Sequence, residues 1–153
     1  QDISGNVISQ SKYIPNMEEI TNVIDENFIG EILQVPPLFS AKKINGRRAY
    51  QIARNGESVD LKPKSITVYE FKVLSYEYPI LKCSISCSSG TYIRTLINDL
   101  GVKLNTVATA KALRRISIGD FNVSESISSK DIDENIFNNI IDISKVRDLL
   151  NNE

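Results

Sequence analysis

Tyr92 and Arg94 stand two residues apart just past a glycine, in the run Ser88-Ser89-Gly90-Thr91-Tyr92-Ile93-Arg94. Both side chains can project from a strand-to-helix corner, where sheets commonly offer their pockets. The alternative is a tyrosine packed on the core rim beside a solvated arginine. Two further clusters of cations stand elsewhere. Lys42, Lys43, Arg47 and Arg48 fall in one seven-residue window that holds no acid, which fits a phosphate clamp or a solvated hairpin tip. Lys111, Arg114 and Arg115 form the second cluster, which fits a further polyanion contact or an ordinary strand with snorkelling arginines. The chain has no histidine, so a His general base, a His triad and His metal ligands are excluded. Cys83 and Cys87 are its only cysteines. Four positions apart on a strand, their Cα atoms lie about 13 Å apart, whereas a disulfide needs less than about 7 Å. Two thiols also make a poor zinc site, so both read as core residues of a reduced, cytoplasmic protein.

The elements that must position these residues follow from periodicity. Leu81, Cys83, Ile85 and Cys87 alternate with Lys82, Ser84, Ser86 and Ser88, the pattern of a half-buried strand. Gly90 breaks it, and Ile93, Leu96, Ile97, Leu100 and Leu104 then recur at helical spacing. A long β-branched and aromatic run from Lys62 to Leu74 predicts the strand that pairs with it, antiparallel across a turn at Glu77-Tyr78-Pro79. Asn16 with Glu19 makes a capping box ahead of the stripe Ile20, Val23, Ile24 and Phe28, which Gly30 stops. Pro36-Pro37 excludes helix interior there, and Asn45-Gly46 predicts a tight hairpin among the first cations. Residues 49–55 read as helix, Asp2–Ile8 as a turn into a short strand, and Ile116 and Ile118 as strand. Ile136, Ile140, Ile143 and Val146 suggest a polar-faced C-terminal helix.

Charge is strongly segregated within a net of −1. Residues 1–31 hold one basic and six acidic side chains, residues 32–119 fourteen and five, and residues 120–153 three and eight. A basic centre between acidic ends points to a polyanion surface, unless the charges mix in space. No run of about 18 apolar residues stands in the chain.

Three stretches resemble one family. Gly90-Thr-Tyr-Ile-Arg-Thr-Leu-Ile-Asn-Asp-Leu-Gly101 is similar to the signature of the bacterial tRNA pseudouridine synthase B family. So is the run from Gln34 to Gly56, matching at Gln34, Pro36, Pro37, Ser40, Ala41, Lys43, Gly46, Tyr50, Ala53, Arg54 and Gly56. The third is Leu113-Arg-Arg-Ile-Ser-Ile-Gly-Asp-Phe121, and Asp2 to Val7 adds a weaker match. The resemblance implies an α/β (α+β) fold with a mixed, mostly antiparallel sheet flanked by helices. Residues 1–121 would be the C-terminal portion of the catalytic domain, and 122–153 a partly helical extension. It implies isomerisation of the T-loop uridine 55 of tRNA to pseudouridine, with the base flipped into a cleft and no cofactor. Arg94 matches the arginine that pairs with the catalytic aspartate and keeps it ionised. Tyr92 matches the tyrosine that packs against the flipped base, and Leu113 the apolar residue lining the pocket. Lys42, Lys43, Arg47, Arg48, Lys64, Arg114 and Arg115 would hold RNA at the T-arm. The family usually has arginine where Lys64 stands, and lysine keeps the charge without the bidentate fork.

The family's G-x-L-D-P-x-A-x-G-x-L motif, which carries the aspartate, has no match among the 153 residues. Asp99 matches a structural aspartate of the family, not the catalytic one. The expectation is therefore a portion of a synthase that is inactive alone and prone to self-association through uncovered sheet edges. Two other classes compete: a non-catalytic RNA-binding module that kept the basic cleft, and a small structural domain whose basic centre binds nothing.

Overall fold

The computed structural model describes residues 6–37, 61–130, 132 and 141, with the strand backbone of 43–44 and 47–48. The expected helices at 49–55 and 136–146, and the turn at Asp2–Gly5, lie outside the described residues. The backbone falls into two compact units, Gln1–Lys111 and Ala112–Glu153.

The first unit begins with α1 (Met17–Asn27). Its capping box forms as the sequence predicts: the Asn16 side chain accepts from the Glu19 N–H at 2.9 Å, and the Glu19 carboxylate accepts from the Asn16 N–H at 2.7 Å. The helix ends at Asn27 with Phe28 as its cap residue. Gly30 takes a φ of +87° and opens strand β1 (Gly30–Gln34), so it redirects the chain into a strand as well as following a helix. That strand was not expected from the sequence.

Strand β2 (Lys43–Ile44) pairs antiparallel with β3 (Arg47–Arg48), the hairpin that Asn45-Gly46 predicts. Strands β4 (Lys64–Glu77) and β5 (Ile80–Cys87) follow, and the sheet order is β1-β4-β5 with both pairings antiparallel. Then comes α2 (Ile93–Lys103).

Both helices contribute to one core on one sheet face. Ile20, Ile24 and Phe28 meet Ile66, Val68 and Phe71 of β4, and Leu96, Leu100 and Leu104 at the α2 end, all buried. Leu81, Cys83, Ile85 and Cys87 face the same way, as their alternation requires. On β4 the inward set is Ile66, Val68, Phe71, Val73 and Tyr76, which is not a simple alternation. Register shifts explain it. Val68 pairs with Cys87 and Glu70 with Ser86, then Val73 with Cys83 and Ser75 with Lys82, so Tyr69 and Leu74 are extra residues at two bulges. The Phe28 and Phe71 rings meet edge to face, with centroids 6.1 Å apart.

The second unit holds a short hairpin, β6 (Ser117–Ile118) with β7 (Phe121–Asn122), followed by a 3₁₀ turn at Val123–Glu125. Two sequence expectations need correcting. Val7 and Ile8, expected to enter a strand, form none and are exposed. Ile116 and Ile118 alternate as predicted, but only a two-residue strand forms and both side chains are exposed: alternation without a face to bury against among the described residues does not extend a strand.

Candidate functional site

The strand-to-helix corner after β5 is built from polar tethers on an apolar base. Beyond Cys87 the ladder continues for one residue: the Ser88 N–H donates to the Thr67 carbonyl at 2.8 Å, and the Thr67 N–H donates to Ser88 Oγ at 2.9 Å. The Thr91 hydroxyl then donates back to the Ser88 carbonyl at 2.8 Å. Gly90 closes the turn with a φ of +80°, a conformation that costs other L-residues energy. A Cβ at this position would also sit 3.1 Å from Lys64 Nζ, so the Lys64 ammonium lies directly against the corner.

Tyr92 follows as the N-cap of α2, extended and with no side-chain capping bond. Its carbonyl accepts from the Thr95 and Leu96 N–H groups at 3.0 and 3.1 Å. Gln34, at the end of β1 and opposite Lys64 in register, completes the corner: Tyr92 N–H donates to Gln34 Oε1 at 2.8 Å, and Gln34 Nε2 donates to the Tyr92 carbonyl at 3.1 Å. Arg94 stands in the first turn of α2, half-buried like Tyr92. The first turn holds no acid. A cation there adds to the positive end of the helix dipole, so the corner favours anionic groups.

The structure thus brings Tyr92, Arg94 and Lys64 to one corner. The opposed register positions Lys43 and Arg48 place two cations of the first cluster on facing strands of the β2–β3 hairpin; Lys42 lies outside the described residues. Leu113, Arg114 and Arg115 belong to the second unit, all three exposed, on chain without regular structure ahead of β6. Asp99 is half-buried on α2, and its Oδ1 accepts from Asn98 Nδ2 at 3.3 Å. Burial pushes the Cys83 thiol up to about 11, which keeps it protonated and inert at neutral pH. Among the described residues no cluster of His, Cys, Asp and Glu could hold a metal ion, and no helix is long and apolar enough to cross a membrane.

Gln34 is the member of this site to which sequence reasoning assigned no task. It stood among the motif positions, but a lone glutamine before two prolines does not signal where its amide will point.

Comparison with known proteins accounts for both units. Residues 1–93 match the model of the TruB family pseudouridylate synthase (N terminal domain), and residues 94–152 that of the tRNA pseudouridylate synthase B C-terminal domain. The two matches meet at the start of α2. A tRNA pseudouridine synthase B of Endomicrobium trichonymphae is 46% identical over 133 residues, which is 86% of this chain and 57% of that protein. The same-named protein of Clostridium kluyveri is 41% identical over 146 residues, 94% of this chain and 50% of that one. That of Rickettsia felis is 44% identical over 135 residues, 87% and 40% respectively. The chain therefore spans about half the length of these curated relatives. Among solved structures, a chain from the crystal structure of a Cbf5-Nop10-Gar1 complex superposes with a TM-score of 0.62 at 29% identity, covering 80% of this chain and 32% of its own. With a family model covering its first 93 residues and relatives of one name at 41–46% identity over most of its length, this chain belongs to the TruB family of pseudouridylate synthases.

Proposed function

We propose that this chain supplies the RNA-holding and aspartate-supporting part of a tRNA pseudouridine synthase that isomerises uridine 55 of the T-loop. The observation that carries this reading is the corner itself. Tyr92 and Arg94, the two residues that match the family's base-packing tyrosine and aspartate-pairing arginine, start one helix on a rigidly tethered turn. In the proposed reaction the target uridine leaves its stack, at a cost of a few kcal/mol recovered by pocket contacts. Tyr92 packs on the flipped base. Arg94 holds the catalytic aspartate ionised through its nearby positive charge while the glycosidic bond breaks and the base rejoins through carbon. Leu113, in the second unit, is the match to the family's apolar pocket residue. Lys42, Lys43, Arg47, Arg48, Lys64, Arg114 and Arg115 bind the T-arm backbone, which A-form RNA presents by shape and phosphate.

The aspartate motif has no counterpart among the 153 residues, so the chain alone is proposed to be inactive and to associate through open sheet edges. A tRNA substrate and two free thiols support a reading in which it works in the cytoplasm. The test is pseudouridine formation in an unmodified tRNA transcript incubated with this chain. No product is expected, together with T-arm binding that weakens steeply as salt rises. Product at the T-loop uridine would place a working carboxylate within these residues, with Asp99 and Asp2 the first to substitute. Salt-insensitive or absent binding would remove the RNA-holding role.

A further inference from the structure

We propose that Gln34 is a positioning residue for Tyr92, a role that rests on reading Tyr92 as the residue that packs against the flipped base. Gln34 is 3% exposed. A buried amide is costly unless its polar atoms are bonded, and here both go to one residue 58 positions away: Oε1 accepts from the Tyr92 N–H and Nε2 donates to the Tyr92 carbonyl. A side-chain amide thus pairs with a backbone amide much as a neighbouring strand would.

The two bonds differ in consequence. The Tyr92 carbonyl also accepts from Thr95 and Leu96 within α2, so it stays paired without Gln34. The Tyr92 N–H relies on Gln34 Oε1. That bond fixes the backbone just before the helix, and with it the direction in which the tyrosine ring leaves the corner. Asparagine is one methylene too short to span the gap, leucine removes both partners, and glutamate keeps the acceptor while losing the donor. The clamp also ties the end of β1, and hence the Pro36-Pro37 segment after it, to the start of α2.

Residue-resolved amide hydrogen exchange of the 153-residue chain tests the clamp. In Gln34→Leu, Tyr92 protection is expected to fall about tenfold or more, the scale of one buried donor left unpaired, while Leu100 in mid-α2 keeps its protection. In Gln34→Glu, the Tyr92 amide is expected to retain most of its protection. Unchanged Tyr92 protection in Gln34→Leu overturns the proposal. Should that variant lose protection everywhere, Gln34→Asn, which keeps the amide but shortens its reach, decides by the same criterion.

The functional half is read on two T-arm hairpins, one with the target uridine and one abasic at that position. Wild type is expected to prefer the first. Gln34→Leu is expected to reduce that preference about fivefold or more, as for a lost base–aromatic stack, with the salt dependence unchanged. A preference that survives in Gln34→Leu overturns the positioning role and leaves the base-contact reading intact. A wild type without preference sinks the base-contact reading, and this role with it.

Discussion

Helices α1 and α2 are both 11 residues long and share one core, yet their N-termini are built in opposite ways. The start of α1 is closed by its own sequence. Asn16 and Glu19 exchange capping bonds, and Glu18 and Glu19 offset the dipole. The start of α2 has no side-chain cap and no acid in its first turn, and carries Arg94. Its cap residue is held from 58 positions away by Gln34. The first end is spent on stability. The second forgoes a side-chain cap and carries a cation in place of acids, an arrangement that suits the proposed anion-facing role. A helix end that breaks the usual capping rules while its neighbour obeys them is where a functional site is expected, in line with the proposed role of this corner.

The strongest way to break this comparison is to attack the core the two helices share. Ile24→Ala and Leu100→Ala are each expected to destabilise the chain by about 2–5 kcal/mol, read as a lower urea midpoint. If both helices lean on one core, either substitution will lower the midpoint for both; separate transitions for α1 and α2 would show that they do not. Next in size is Gly90→Ala, which forces a side chain into the left-handed turn at a cost of roughly 1–2 kcal/mol. Asn16→Ala should cost about 1 kcal/mol by removing the α1 cap. The two sharpen the contrast when RNA binding is measured alongside denaturation: Gly90→Ala should weaken the proposed T-arm binding, and Asn16→Ala should leave it unchanged.

The smallest expected effect is a pH dependence confined to α1. The Tyr13 hydroxyl and the Asn16 N–H both donate to the Glu19 carboxylate and hold it below the usual carboxylate range. A carboxyl that is depressed in the folded chain stabilises it at neutral pH, and the contribution is lost as pH falls through the folded value. Amide exchange in the first turn of α1 should therefore speed up on acidification beyond its intrinsic pH dependence, relative to the first turn of α2. Equal changes at both helix ends would contradict the capping assignment.

Much of the frame was legible because its residues obey one rule at a time. The α1 cap, the α2 stripe, the β5 alternation and the Asn45-Gly46 hairpin all depend on neighbours within a few positions. What was missed depends on partners far away. Strand β1 faces Ile32 and the buried Gln34 inward and turns Leu33 out to solvent, so its hydrophobic pattern points to the wrong face. Val7 and Ile8, and Ile116 and Ile118, carry strand-forming residues without an apolar surface among the described residues to cover them. At the site, Gly90 advertises the turn and so locates Tyr92 and Arg94. The Gln34 clamp is set by β1–β4 register and has no local signature.

The two bulges of β4 have a consequence for how this strand tolerates changes in length. In a regular strand, gaining or losing one residue inverts every side chain downstream and turns the core face outward. Tyr69 and Leu74 have no partners across the β4–β5 ladder, and both are exposed. Removing either would straighten the strand locally while leaving Phe71, Val73 and Tyr76 facing the helices. Each bulge is therefore a reading-frame buffer in the sheet. A one-residue indel can be absorbed there without disturbing the core, the corner at Gly90, or the Tyr76 hydroxyl that donates to the Pro15 carbonyl at 2.8 Å near the far end of the strand.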